Sequence, residues 1–283
     1  MRNDPVIRIN AGEEFPDETP KQYIQGWVEF YKLKFKVTPD VLIPRPETEL
    51  LVDEVLHYVI ATRQNMKFLA GKQSLTILDL GTGSGNIIIS IAKNSSLHPG
   101  GFSTKYGRVS NGDPGGKLKL FATDISEAAL AIARENARKH RMQNRIFFVK
   151  SDLLGVIARS EATKQSPQDK RLPRPFGARN DGVDIIVANL PYIPYSRISW
   201  LDPSVKDFEP ALALDGGPDG FDLYRKLFAQ MKEKNLIPKI LIAEIDDSQG
   251  KIALTEAKEY FPDAKVEVKK DLAHKQRILV VNF

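Results

Sequence analysis

From residue 75 onward the chain alternates between two hydrophobic periods. The short apolar runs "LTILDLG" (75–81), "KLFATDI" (119–125), "RIFFVKSD" (145–152), "VDIIVAN" (183–189) and "KILIAEI" (239–245) are too brief for helices and rich in β-branched and aromatic residues. They predict buried strands. Between them, "NIIISIAKN", "SEAALAIARENARKH" and "FDLYRKLFAQMKEKN" space their apolar positions as helices do; in the last, Leu223, Leu227, Phe228 and Met231 share one face. Ser126 stands where the second helix needs an N-cap. The chain closes with "AKVEVKKDLAHKQRILVVNF", two alternating strands around a polar connection, which predicts an antiparallel hairpin. Alternating strands and helices predict an α/β fold with a doubly wound, mostly parallel sheet.

Two segments interrupt this plan, and both are expected to be surface loops inserted into it. Residues 96–117 are dense in Gly, Ser and Asn, and residues 157–182 are polar, basic and proline-bearing. The second, through "ARSEATKQS" and "RNDG", resembles the translation of a short palindromic repeat element that inserts in frame into some bacterial genes. Ahead of the sheet, residues 20–60 predict a short helix, two β-like stretches, a proline-rich turn at 44–46 and a second helix. The first nineteen residues are polar and patternless, as in a frayed tail.

A chain of 283 residues, 42% apolar and 27% charged, fits one large α/β domain or one with a small appendage. It contains no run of eighteen apolar residues and no apolar signal core, so a cytoplasmic protein without membrane insertion is expected. The absence of cysteine removes disulfides and thiolate chemistry. His57, His98, His140 and His274 share no ligand spacing, and no metal site is expected. The net charge of +5 invites a nucleic-acid reading. Yet Arg159, Lys164, Lys170, Arg171, Arg174 and Arg179 against Glu161, Asp169 and Asp181 place more than half of that excess in the second inserted loop. A solvated loop is the simpler account, and no nucleic-acid partner is expected.

The candidate chemistry lies at the strand ends. "LDLGTGSG" puts Asp79 at the end of a strand and Gly81, Thr82, Gly83, Ser84 and Gly85 in the turn that opens a helix. Such a turn lets backbone approach a ligand, or is simply a tight connection; it lacks the later glycine of the dinucleotide pattern, since Asn86 stands there. Asp124 ends the second strand, where a carboxylate can accept from both ribose hydroxyls. Asp152 and Leu153 stand at the end of the third, placed to bind and flank an adenine ring. Taken singly, each aspartate reads equally as a cap or loop residue. Together they mark the carboxyl edge where open α/β sheets bind ligands, and imply an adenosine compound without a phosphate-binding lysine loop: S-adenosylmethionine. Asn189, Leu190, Pro191 and Tyr192 stand on the same edge, at the end of the fourth strand.

"DLGTGSG", "TDIS", "SDL" and an Asn-x-Pro-Tyr loop resemble the Asn-Pro-Pro-Tyr methyltransferases, whose acceptors are planar amino or amide nitrogens. With "VLIPRPETELLVDEV", "DFEPALALDGGPDGFDLYR", "AEI" followed by "SQG", and "DLAHKQRILVV", the chain resembles one group in particular. That group is the PrmC/HemK family, the N5-glutamine methyltransferases of peptide chain release factors. The resemblance implies a seven-stranded class I, Rossmann-like methyltransferase domain over 51–283, with the two loop insertions and the C-terminal hairpin. Residues 1–50 would form a short, truncated N-terminal region and β-hairpin, where family members usually carry a helical bundle. It also implies a catalytic loop Asn189, Leu190, Pro191 and Tyr192. In it, the Asn189 side-chain carbonyl and the residue 190 backbone carbonyl take the two amide hydrogens, and Tyr192 packs on the amide plane. Asn189 is carried to the cofactor side as well. Arg45, Glu47 and Glu209 fall near the substrate entrance, the first two as a candidate ion pair. The expected partner is a class I release factor carrying a Gly-Gly-Gln loop, and the expected acting form is a monomer. Methylation of adenine amino groups in RNA or DNA, and a non-catalytic S-adenosylmethionine-binding module, are the alternative readings.

Overall fold

The computed structural model describes residues 16, 18–66, 74–95, 102–104, 107–109, 117–155 and 182–283. The expected tail over 1–15 and the basic segment up to residue 181 lie outside the described residues, as does most of 96–116.

The chain begins with α1 (Lys21–Gln25) and a small hairpin, β1 (Trp27–Phe30) and β2 (Leu33–Lys36). Its two-residue turn, Tyr31-Lys32, has positive φ at both positions, the twist that matches paired strands. Neither residue is a glycine, so the turn is held from outside: the Tyr31 N–H donates to Glu49 (2.7 Å) and its hydroxyl to Asp53 (2.5 Å). Both acceptors sit on α2 (Glu49–Met66), which follows a 3-10 turn at Pro46–Thr48. Next come β3 (Ser74–Leu80), α3 (Asn86–Asn94), a two-strand ribbon β4 (Phe102–Thr104) and β5 (Gly107–Val109), β6 (Lys117–Asp124), α4 (Glu127–Lys139) and β7 (Ile146–Lys150). The chain continues through β8 (Ile185–Ala188), the short helices α5 (Tyr195–Ile198) and α6 (Pro203–Lys206), α7 (Asp222–Glu233), β9 (Ile240–Glu244), α8 (Gly250–Tyr260), β10 (Lys265–Lys270) and β11 (Gln276–Asn282).

Seven of these strands form one sheet in the order β10-β11-β9-β8-β3-β6-β7. Pairing is parallel from β9 to β7, while β11 and β10 run antiparallel at the other edge. The chain winds outward from β3 to β7 and then restarts on the other side of β3 with β8. That reversal leaves a crevice beyond the carboxyl ends of β3 and β8. Side chains of each central strand alternate between two buried layers. Ile77, Ile185, Val187 and Ile242 pack with α2 and α3, whereas Leu78, Ile186, Ala188 and Leu241 pack with α7 and α8. Because both faces are covered, the strands read as continuous apolar runs. A third, small cluster of Tyr23, Val37, Val41, Ile43, Ala129 and Ile132 fastens the N-terminal segment onto α4.

Three expectations need correction. The segment 96–117 is not uniformly loop: β4 and β5 pair within it, and Lys117 already begins β6. The third and fourth strands are shorter than predicted, so Asp152 and Leu153 lie in the turn after β7 and Asn189 just past β8. Helix α8 carried no assignment in the sequence reading. Its buried face is narrow, with Ala253 and Ala257 packed on the sheet, and small side chains leave little hydrophobic periodicity to detect. Ser126 does cap α4, accepting from the Ala129 N–H at 3.2 Å.

Candidate active site

The crevice over β3 and β8 holds a cavity of about 350 Å³, within the range of small-molecule sites. One wall is the glycine loop: Gly81, Thr82, Gly83 and Ser84 line it. The loop is tied back by Thr82 N–H to the Thr123 carbonyl (2.9 Å) and closes with Gly85 N–H to the Thr82 carbonyl (2.8 Å). Gly85 does not line the cavity. It sits at the N-cap of α3 with φ 79°, and a Cβ there would meet Ile89 at 2.9 Å and Ala133 at 3.2 Å. Its role is to let α3 and α4 pack closely. Asp79 also stays out of the cavity wall. It is fully buried beneath the loop, accepts from the Thr82 hydroxyl at 2.7 Å, and is pushed up to about 7 by burial, against the Thr82 hydrogen bond.

The next wall comes from the ends of β6 and β7. Asp124 lines the cavity and accepts from the Gly83 N–H and the Ser126 N–H, both at 2.9 Å. Burial raises its pKa, and these donors oppose the rise. Its two oxygens thereby hold the glycine loop and the start of α4 together, leaving further lone pairs for a hydroxyl. Asp152 and Leu153 line the same space with Ser151, whose hydroxyl donates to the Leu153 carbonyl (2.8 Å). Asp152 is paired to Lys226 of α7 (2.6 Å), a partner that the sequence reading did not connect to the site.

Asn189, Leu190 and Pro191 form the third wall; Tyr192 turns away from it and packs inward. The Asn189 Nδ2 donates to the Thr48 hydroxyl at 3.2 Å. Among the described residues no donor reaches the Asn189 Oδ1 or the Leu190 carbonyl oxygen. Leu190 is buried against Gly81, where a Cβ would come within 3.2 Å of its Cδ2. Its N–H, a donor that must be satisfied when buried, points to the Tyr224 hydroxyl at 3.3 Å, and that hydroxyl donates to the Glu244 carbonyl at 2.5 Å. The Tyr192 hydroxyl donates to the Glu244 carboxylate at 3.1 Å. Glu244 is fully buried at the end of β9; burial raises its pKa, opposed by the Thr48 hydroxyl, Tyr192 and Arg277.

The segment 214–220 buttresses this loop from behind. The Ile193 N–H donates to the Leu214 carbonyl (3.1 Å), the Gly216 N–H donates to the Ile193 carbonyl (2.9 Å), and the Gln249 Nε2 donates to the Tyr192 carbonyl at 2.9 Å. The approach is so close that a Cβ on Gly216 would lie 2.7 Å from the Tyr192 Cα, and one on Gly220 would overlap the Tyr192 carbonyl oxygen. At the mouth, Arg45 pairs with Glu209 at 2.5 Å rather than with Glu47. Glu209 is buried and also receives the Ile43 N–H, so this pair anchors the proline-rich turn instead of decorating the surface.

The sheet edge therefore brings together Gly81, Thr82, Gly83, Ser84, Asp124, Asp152, Leu153, Asn189, Leu190 and Pro191 at one cavity, with Asp79, Gly85 and Tyr192 in support behind it. Sequence reasoning missed Thr48, Tyr224, Glu244 and Gln249 as parts of the site. Each lay inside a quoted motif, but their partners are 141, 34, 52 and 57 positions away.

Residues 71–189 match the family model for a methyltransferase domain. A release factor glutamine methyltransferase from Lactococcus lactis is 35% identical over 93% of this chain and 77% of its own length. The chain belongs to the release factor glutamine methyltransferase family. A relative of the same name from Moorella thermoacetica is 36% identical over 82% of this chain, which spans 63% of that protein. Another, from Thermodesulfovibrio yellowstonii, is 33% identical over 93% of the chain and 76% of its own length. Among solved structures, the human methyltransferase 10 domain containing protein superposes with a TM-score of 0.53 at 11% identity, covering 89% of both chains. The hMettl16 catalytic domain does so at 0.55 and 12%, over 89% of this chain and 76% of its own. Those two likenesses are of fold.

S-adenosylmethionine is the cofactor of this family, and the cavity suits it. The donor set is acidic and backbone-rich, and its lysine, Lys226, is already paired. That combination favours hydroxyls, an amino group and a cationic sulfonium over a phosphate. A built Cβ on Gly83 meets nothing within 4 Å, so the loop's backbone is open to a ligand. Asp124 would hold the ribose, with Ile125, Leu153 and Asp152 about the adenine.

Proposed function

We propose that this protein methylates the side-chain amide nitrogen of a glutamine in the Gly-Gly-Gln loop of class I peptide chain release factors. The observation that carries the reading is the pair of unengaged acceptors, the Asn189 Oδ1 and the Leu190 carbonyl, on adjacent residues of the cavity wall that adjoins the glycine loop. A primary amide offers two N–H donors, and two adjacent acceptors match them. The names of the curated relatives support the same substrate.

The bound cofactor supplies an electrophilic methyl group on a cationic sulfonium. The chain's task is to make a poor nucleophile usable, because the amide nitrogen's lone pair is delocalised into its carbonyl. Asn189 and Leu190 pin both hydrogens, which aims that lone pair and favours pyramidal nitrogen. Holding the reactants so can lower the barrier by up to about 7–11 kcal/mol. Pro191 restricts Leu190 to extended backbone, and so fixes its carbonyl. Tyr192, locked by Glu244 and Gln249, stiffens the loop from behind. No strong base is required of the chain: the nitrogen's hydrogens would rest on the Asn189 and Leu190 oxygens, and one proton would then be lost to solvent.

A release-factor substrate supports a cytoplasmic setting. The test offers labelled S-adenosylmethionine with a release factor, with its Gln→Ala variant, and with a nucleic-acid oligomer. Label is expected on the native factor alone, and Asn189→Ala is expected to abolish most of it. Equal label on the Gln→Ala factor would refute the reading.

A further inference from the structure

Ser151, Asp152 and Leu153 all line the cavity, although three consecutive residues of a strand would send alternate side chains to opposite faces. The chain departs from that alternation by turning at Leu153, whose φ of 51° lies in the left-handed region. Leucine disfavours this region, because its Cβ crowds the following carbonyl oxygen. Contacts around the turn must therefore hold it. Two are internal: the Ser151 hydroxyl donates to the Leu153 carbonyl and the Gly155 N–H to the Asp152 carbonyl, both at 2.8 Å. The third comes from α7, where the Gln230 Oε1 accepts from the Leu154 N–H at 2.8 Å.

Helix α7 meets this wall along one stripe. Leu223 and Lys226 line the cavity, and Gln230 follows one turn beyond Lys226. Lys226 takes one oxygen of Asp152 (2.6 Å), and among the described residues no hydrogen bond reaches the other. The side chains of that pair are 45% and 46% exposed, so it contributes little to holding the turn. Gln230 is placed differently. Leu154 is fully buried and its N–H can only donate, so this one contact fixes both the turn and the end of the Gln230 amide that meets it. We propose that Gln230 is a positioning residue for the cofactor: through the Leu154 N–H it holds the left-handed turn that sets Asp152 and Leu153 against the adenine. This rests on reading that wall as the adenine subsite. It gives α7 two tasks, since Tyr224 of the same helix serves the Leu190 N–H in the acceptor loop.

The test measures binding of S-adenosylhomocysteine and S-inosylhomocysteine to the intact protein by calorimetry. The second ligand carries a carbonyl where adenine has its amino group, so a carboxylate held at that position favours the first. Wild type should prefer S-adenosylhomocysteine. Gln230→Met, close in size but without the acceptor, should weaken that ligand about fivefold, the worth of one hydrogen bond. The inosine ligand should lose less than about twofold, because a loosened Asp152 also repels its carbonyl less. Gln230→Glu keeps an acceptor oxygen and should bind S-adenosylhomocysteine within about twofold of wild type. Gln230→Ala takes the place of the methionine variant if that chain does not fold. An acceptor-free variant that keeps the wild-type preference between the two ligands, or a glutamate variant as weak as it, would overturn the proposal. Wild type that binds the two ligands equally would instead overturn the adenine reading of the wall.

Discussion

Replacing Tyr224 by phenylalanine removes one oxygen atom from the core, and the structure identifies which groups lose by it. The Leu190 N–H loses its acceptor and the Glu244 carbonyl loses a donor, and both residues are buried. A carbonyl has a second lone pair, but the N–H has no alternative partner among the described residues. Leaving such a donor unsatisfied costs about 1–3 kcal/mol. Leu190→Pro removes the same N–H from the other side. That substitution alone loses some side-chain packing against Gly81, on the order of 1 kcal/mol for a methylene. In the double variant the orphaned donor no longer exists. Its destabilisation should therefore fall short of the sum of the single effects by about 1–2 kcal/mol. Urea unfolding of the four proteins gives this coupling directly, and methyltransferase assays on the same four should show Leu190→Pro active. Additivity within about 0.5 kcal/mol would refute the idea that the Tyr224 hydroxyl is there to satisfy Leu190.

Three further outcomes follow from the same geometry. Asp79 has its folded pKa raised from 3.8 to about 7 by burial, so the native state holds a proton that the unfolded chain has released. Its contribution to stability is fully retained below pH 3.8 and falls as pH rises toward 7, by up to roughly 4 kcal/mol. Asp79→Asn should flatten the unfolding free energy between pH 5 and 8 relative to wild type; an unchanged slope would contradict it. Gly220→Ala puts a methyl group onto the Tyr192 carbonyl and forces a side chain into φ 80°; a loss of about 1–3 kcal/mol in denaturation and a large fall in kcat are expected. Replacing residues 158–181 by a short Gly-Ser linker should leave melting temperature and turnover near wild type, because that segment reads as an insertion; loss of either would show that it serves the fold or the site.

The hydrophobic pattern was sufficient for the sheet. Five buried strands, the terminal hairpin, the capped α4 and the apolar face of α7 follow from periods of two and 3.6, because each element must bury a particular set of side chains whatever its neighbours are. Much of the cavity lining was legible for a related reason. Glycines, an aspartate at a strand end and the Asn-Leu-Pro-Tyr run act through local backbone geometry, and local geometry is written in adjacent residues. Strand ends were less so: β7 and β8 stop where pairing stops, a matter of neighbours rather than of propensity.

Tertiary structure alone decided who supports whom. Arg45 reads as an ion-pair partner for nearby Glu47, yet it reaches Glu209, 164 positions away, because the proline-rich turn and the 207–220 segment meet at the cavity mouth. Leu190 in the motif looks like a departure from proline until Tyr224 on α7 is seen beneath its N–H. Thr48 and Asn189 likewise meet only once α2 and β8 lie side by side. Hydrogen bonds and ion pairs have ranges of a few ångströms and no dependence on sequence separation, so a linear pattern carries the site's reactive residues but not the contacts that aim them.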